Sequence, residues 1–239
     1  MACSCSAFPL LTADEFERAC RVLVDRACTC TTAQGEGGWS STRLVTQDVT
    51  SIKIARQIEI QSNTTAKNMN LQEAETSEAS EALTLEDEDP HTKGYRSANT
   101  SPQEAVIRTS GKPSLHIDYD IVLSPTYQVP VLYFTIREAN QGPVGLDTVY
   151  QYVVPELYRK EVKSVGVMGG ISFGYHPVSG APAFFVHPCN TADAMGHIAD
   201  AQSVTPVTYL LIWLGLVGPC VSLHIPRELV LPQDGTRPS

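Results

Sequence analysis

Two apolar segments separated by a short turn constrain the fold of this chain most strongly. Over Leu115–Leu123, apolar residues alternate with polar ones, which is the pattern of a strand with one buried face. The next segment, Val129–Ile136, is almost wholly apolar and indicates a central strand. Because only a short connection around Ser124 and Pro125 joins them, the two strands should pair in the antiparallel sense.

A helix is predicted ahead of this sheet. Thr12 and Glu15 have the spacing of a capping box, in which each side chain bonds the backbone of the other residue. Leu11 and Phe16 are spaced as the accompanying hydrophobic staple. The following apolar residues repeat at helical spacing, so one face of this helix should pack on a sheet, and the helix should end before the stretch that begins at Cys28.

The remaining elements follow from the same periodicities. Extended structure is predicted over residues 39–61, 171–175 and 182–186, a short helix or turn over 146–154, and helices over 190–201 and from 209 onward. Strands grouped together, with helices at both ends, are typical of an α+β fold with an antiparallel sheet.

One segment interrupts this pattern. Residues 62–112 are rich in Asn, Thr, Ser and acids and contain few large apolar side chains, so they should form a solvated, disordered insertion. Eight of the acids lie within residues 73–89 and account for nearly all of the net charge of −9. We therefore expect a single domain over residues 1–226, interrupted by this insertion, and a flexible tail over 227–239.

The composition excludes several classes of function. Acids outnumber Lys and Arg by 26 to 17, which argues against an open surface for nucleic acid or for an anionic membrane. The one long apolar run, Val207–Leu223, is too short for a bilayer span and contains two glycines and a proline, so a buried helix is expected. The run Gly166–Gly174 lacks the order of a nucleotide-binding motif, and no cofactor is expected.

The cysteines indicate the compartment. There are seven, an odd number, and the N-terminus lacks the basic and apolar regions of a secretory signal. A reducing, cytoplasmic location with free thiols is therefore expected.

Cys189 is the candidate nucleophile. It follows an apolar strand and a His-Pro pair, and it precedes a predicted helix with Asn190 as the N-cap and Asp193 at the third helical position. A thiol placed there would be near the positive end of the helix dipole, which favours the thiolate. On position alone, a lone cysteine beside a helix start is more often a small buried hydrophobe than a nucleophile.

Two other uses of these residues were weighed. His176, His187, Cys189 and His197 could form a zinc cluster, but their spacing matches no common structural zinc pattern. Cys189 and His187 could instead form a thiol hydrolase pair, which would need a further orienting amide or acid.

Four segments together resemble the autophagy E2-like conjugating enzymes. Tyr175–Met195, with its His-Pro-Cys triplet after an apolar strand, is similar to their active-site segment. Ile117–Phe134 resembles their paired central strands with a Ser-Pro-x-Tyr-x-Val-Pro turn. Tyr209–Pro226 resembles their C-terminal apolar segment, and Phe8–Phe16 resembles the opening of their first helix. The resemblance implies an E2-like core: a curved antiparallel sheet flanked by an N-terminal helix and C-terminal helices.

The family has a lipid-conjugating branch and a protein-conjugating branch, and the turn and the Trp-bearing helix resemble the second. The first helix also carries three acids, Asp14, Glu15 and Glu17, in its first turns and has no lysine, which suits an anionic bilayer poorly. The acidic insertion, in contrast, resembles the acidic insertions that recruit the activating enzyme in the lipid-conjugating branch.

The resemblance implies the chemistry. Cys189 would accept the autophagy ubiquitin-like protein twelve from an E1-like activating enzyme as a thioester, and a lysine of acceptor protein five would then attack it. His187, Asn190 and, more remotely, Tyr127 are the candidate supporting residues, and Asp193 could assist deprotonation or merely cap the helix. The alternative class is a non-catalytic interaction module in which Cys189 is structural.

Overall fold

The computed structural model describes residues 4–29, 38–59, 114–138, 144–164, 170–199 and 204–230. In chain order its helices and strands are α1 (Ala13–Thr29), β1 (Ser41–Val45), β2 (Ser51–Glu59), β3 (Ser114–Leu123), β4 (Pro130–Glu138), α2 (Leu146–Thr148, continued by a wide helical turn over Val149–Val153), α3 (Glu156–Lys163), β5 (Ile171–Tyr175), β6 (Pro182–Val186), α4 (Thr191–Ile198), α5 (Pro206–Val217) and α6 (Arg227–Val230). The insertion predicted over residues 62–112 lies outside the described residues.

The six strands form one antiparallel sheet in the order β1-β2-β3-β4-β6-β5. The predicted pairing of β3 with β4 is confirmed, and both strands are central. The extended structure predicted over residues 39–61 is in fact a hairpin, because the polar residues after Val45 turn the chain so that Val45 pairs with Ser51. The α+β class with an antiparallel sheet is confirmed.

The core lies between one face of the sheet and the helices α1 and α5. Phe16 and Leu23 of α1, Trp213 and Leu214 of α5 and Phe134 of β4 are all almost completely buried in it. Burying side chains of this size stabilises a fold by about 1.5–3 kcal/mol each. The apolar run predicted as a buried helix is therefore α5, and among the described residues no helix combines the length and apolar character needed to cross a bilayer.

The capping box at the start of α1 is confirmed. The Thr12 amide donates to Glu15 Oε2 at 3.0 Å, and the Glu15 amide donates to Thr12 Oγ1 at 3.3 Å. Leu11 and Phe16, the predicted staple, are each 1% exposed. The helix runs one residue past Cys28, to Thr29.

The C-terminal segment differs from the predicted flexible tail over 227–239. Its first four residues form the helix α6, in which Leu229 is completely buried against the core. Leu229, the third residue of this short helix, attaches the segment to the core, and its carbonyl oxygen accepts a hydrogen bond from Arg26. Residues 231–239 lie beyond the described part of the chain.

Candidate active site

One end of the sheet assembles the candidate site. Because β6 runs antiparallel to β4, the end of β6 lies at the same end of the sheet as the turn between β3 and β4. The start of α1 is fixed to that turn, since the Leu11 amide donates to the Gln128 carbonyl at 2.8 Å. Gln128 adopts a left-handed backbone with φ 52°. Three parts of the sequence that are far apart therefore meet here.

Cys189 lies in a single 3₁₀ turn, Pro188–Asn190, between β6 and α4. Pro188 before it and Thr191 after it are buried, whereas Cys189 and Asn190 are exposed. Proline suits the first position of such a turn because its fixed φ matches and its missing N–H would be unpaired there. The turn thus presents the thiol to solvent from a backbone that is anchored on both sides.

His187 caps this turn. Its Nδ1 accepts a hydrogen bond from the Cys189 amide at 3.2 Å. Asn190 occupies the predicted N-cap position of α4, but its side chain makes no capping bond. Asn190 lies within the turn, with φ −100° and ψ 1°, whereas a side-chain cap requires the more extended backbone that His187 has, with φ −67° and ψ 129°.

Tyr127 lies beside His187, although sequence reasoning made it only a remote candidate. The two rings meet edge to face with centroids 5.9 Å apart. Tyr127 is 42% exposed, and its amide donates to Ser124 Oγ within the β3–β4 turn. The structure therefore brings Tyr127, His187 and Cys189 together, with Asn190 adjacent in the chain.

Asp193, for which both assistance in deprotonation and helix capping are considered above, has its carboxylate beside His197. Its carboxylate is 83% exposed and lies 3.7 Å from Nδ1 of His197. The same His197 nitrogen lies 2.8 Å from the Asp193 carbonyl oxygen. Asp193 therefore lies in the first turn of α4 with its carboxylate exposed.

The other cysteines have different surroundings. Burial raises the pKa of Cys5 to about 11 and of Cys220 to about 12, and it also raises the pKa of Cys20. Because the thiolate is the reactive form, these three thiols are inert at neutral pH. Cys28, in the last turn of α1, and Cys189 are the exposed thiols among the described cysteines.

His176 is used structurally. Its Nδ1 accepts from the Val178 and Ser179 amides at 3.3 and 3.2 Å, and its Nε2 lies 3.1 Å from Asp120 Oδ2. Lys53, opposite Asp120 in the sheet, pairs with the same carboxylate. Desolvation lowers the pKa of His176, and Asp120 opposes that effect only in part. Asp120 and Lys53 were not singled out in the sequence analysis. In the sequence each is simply one of the polar residues that alternate with apolar residues along its strand.

No metal arrangement emerges from these side chains. Within the described ranges no three His, Cys, Asp or Glu residues are grouped so that they could hold an ion. The four residues weighed as a zinc cluster have separate contacts: His176 with Asp120, His187 with the Cys189 amide, and His197 with Asp193.

Comparison with known proteins identifies the family. The family model described as "Autophagocytosis associated protein, active-site domain" matches residues 15–228. The ubiquitin-like-conjugating enzyme ATG10 of Gibberella zeae is 32% identical over 242 residues, covering 94% of this chain and 97% of that protein. The proteins of the same name from Homo sapiens (31% over 125 residues, 52% of this chain and 56% of that protein) and Arabidopsis thaliana (30% over 165 residues, 61% and 69%) are also similar.

The matched range contains all six strands together with Tyr127, His187 and Cys189. The resemblance drawn from four sequence segments is thereby confirmed, and with it the E2-like nature of the fold and of the transferase activity. This chain belongs to the ATG10 family, the E2-like enzymes that conjugate a ubiquitin-like protein in autophagy.

Proposed function

We propose that this chain accepts the autophagy ubiquitin-like protein twelve from an E1-like activating enzyme as a thioester on Cys189, and transfers it to a lysine of acceptor protein five. One observation carries the proposal: the exposed Cys189 thiol is held in a capped turn between two buried residues. An E2-like enzyme needs an activator, a ubiquitin-like protein and an acceptor, and the resemblance of the central turn and of α5 to the protein-conjugating branch supports these particular partners.

Charging is a thiol exchange. The Cys189 thiolate attacks the thioester carbonyl on the activating enzyme, a new C–S bond forms to Cys189, and the activating enzyme's sulfur leaves as a thiolate. The exchange replaces one thioester by another, so it needs no nucleotide at this step. A thiol exposed at the surface can reach a thioester carried by a second protein, whereas Cys5, Cys20 and Cys220 cannot.

Transfer requires stabilisation of negative charge and removal of a proton. The lysine amine attacks the thioester carbonyl, the oxygen gains negative charge, and the C–S bond then breaks to release the Cys189 thiolate. Donors directed at the oxygen lower this barrier. The side-chain amide of Asn190, which caps nothing, and the hydroxyl of Tyr127 are the donors that we assign to it. Because a free lysine has a pKa of about 10.4, its proton must also pass to a base, and the exposed Asp193 is the carboxylate nearest in sequence.

A charging assay tests the proposal. The chain is mixed with the activating enzyme, ATP and ubiquitin-like protein twelve, and adducts are separated with and without a reducing thiol. We expect an adduct that the thiol cleaves, that is absent in Cys189→Ala, and that becomes thiol-resistant in Cys189→Ser because an oxyester forms. Cys28→Ser, which removes the other exposed thiol among the described cysteines, is the matched control and should charge normally.

Each other outcome of this assay contradicts a specific part of the proposal. Charging only by the ubiquitin-like protein of the lipid branch would refute the assignment of the substrate. A thiol-sensitive adduct that persists in Cys189→Ala would refute the assignment of the nucleophile. No adduct from folded protein would favour the interaction module.

A further inference from the structure

His187 is held by four contacts at the candidate site. Its amide donates to the Gly170 carbonyl at 3.1 Å, and its ring packs against Tyr127 and against Phe185, with centroids 5.9 and 6.1 Å away. Its Nδ1 accepts from the Cys189 amide at 3.2 Å. The orientation of the imidazole is therefore set by its neighbours in the β3–β4 turn, on β6 and in the turn that carries Cys189.

The hydrogen bond to the Cys189 amide determines what the ring can do. A neutral imidazole has one nitrogen that accepts and one that donates, and a protonated imidazole has no acceptor. Since Nδ1 accepts from Cys189, the proton must be on Nε2, and neither nitrogen has a free lone pair for the thiol proton. His187 could act as a base towards the thiol only by giving up this contact.

The contact is that of a helix N-cap. A capping side chain accepts from an amide at the second or third position of the helical segment, and Cys189 is the second residue of its turn. Pro188, at the first position, has no N–H, and the Asn190 side chain does not cap the following helix. His187 therefore supplies the side-chain cap at the start of the turn that carries the nucleophile.

We infer that His187 is a positioning residue: its Nδ1 fixes the backbone of the Cys189 turn, and it is not the base that deprotonates the thiol. This inference rests on the proposed thioester at Cys189. It predicts that an acceptor atom is what position 187 needs and that a titratable imidazole is not required.

Asparagine provides the matched substitution. Its Oδ1 accepts from the amide two residues onward, as in an Asx turn, but it has no basic nitrogen. We expect His187→Ala to slow charging about 5- to 30-fold, which is the factor that corresponds to the loss of an N-cap. His187→Asn should stay within about three-fold of the wild type, and its charging rate should keep the wild-type dependence on pH between pH 6 and pH 9.

The inference would be overturned if charging slowed equally in His187→Asn and His187→Ala and its dependence on pH were flattened in both. That result would indicate that His187 acts as a base. Melting curves of both variants exclude misfolding as the cause. The wild-type protein gives an independent test, because nitrogen NMR of the His187 ring should show the Nε2–H tautomer at pH 7.5, and an Nδ1–H tautomer would also overturn the inference. If the wild type is not charged on Cys189, the proposed function fails, whereas the NMR result still decides whether the cap exists.

Discussion

Glu15 should contribute to stability far more than a helix-surface glutamate usually does. Its carboxylate is 3% exposed and accepts three hydrogen bonds, from the Ser6 amide at 2.6 Å and from the Thr12 amide and hydroxyl at 3.0 Å each. Glu15→Ala removes two hydrogen bonds from backbone amides to a charged carboxylate, each worth about 1.5–3 kcal/mol. We therefore expect the free energy of unfolding to fall by about 4 kcal/mol, a large part of the 5–15 kcal/mol typical of a domain.

The measurement is urea unfolding of the wild type, Glu15→Ala and Glu17→Ala, followed by circular dichroism. Glu17 is a matched control in the same turn of α1, where it forms only an exposed pair with Arg21, so its loss should cost about 0.5 kcal/mol or less. At about 2–4 °C per kcal/mol, Glu15→Ala should also lower Tm by roughly 8–16 °C. A loss within 1 kcal/mol of that of Glu17→Ala would refute the reasoning.

The dependence on pH provides a second check on Glu15. Burial alone would raise the pKa of its carboxyl, but the hydrogen bonds from Ser6 and Thr12 outweigh burial and lower it. A lowered pKa means that the stabilisation is complete above the ordinary glutamate pKa of about 4.3 and is lost as the pH falls through the lower folded value. The difference between wild type and Glu15→Ala should therefore be constant from pH 5 to pH 7 and shrink below pH 4.

Two further substitutions test other parts of the fold. His176 has a lowered pKa, so its contribution to the free energy of unfolding is complete above its ordinary pKa of about 6.5 and is lost as the pH falls below it. In urea titrations, the stability difference between wild type and His176→Phe should therefore narrow from pH 7.5 to pH 5. A difference that widens over this range would contradict the direction assigned to the pKa shift. A Cβ on Gly218 would lie 2.2 Å from the Leu223 carbonyl oxygen, so Gly218→Ala should lower the free energy of unfolding by about 1–3 kcal/mol. Gly215→Ala is the control: its Cβ would have a flexible isoleucine tip at 3.7 Å as its nearest neighbour, so the loss should be less than about 1 kcal/mol. Equal losses would show that the backbone at Gly218 does not approach Leu223 closely in solution.

The sequence predicted those elements whose signals are local. The capping box of Thr12 and Glu15, the alternation of β3 and the turn between β5 and β6 each depend on side chains within a few residues, and β5 and β6 were predicted with their observed bounds. The candidate nucleophile was found in the same way, because the His-Pro-Cys triplet is contiguous.

The contacts that determine the site were not predictable in that way. That Tyr127 lies against His187 depends on the pairing of β4 with β6, two strands that are not consecutive in the chain. That His187 and not Asn190 caps the turn depends on the backbone angles of both residues, which a preference for asparagine at helix starts does not specify. The contacts of Asp120 were not predictable either, because its partners Lys53, on β2, and His176, beside β5, are far from it in the sequence.

The attachment of the N-terminal segment to the C-terminal helix has a consequence for biosynthesis. The Tyr209 hydroxyl donates to the Pro9 carbonyl, the Cys5 amide donates to the Val204 carbonyl, and α1 packs on α5. During translation the part of the α1 face that packs on α5 therefore stays uncovered until α5 has been synthesised. Contacts between such distant segments also carry a larger loop-closure cost than local contacts do. Because Leu11 and Gln128 join this arrangement to the turn beside His187, we expect Cys189 to become a competent acceptor only after α5 has been synthesised and has packed on α1.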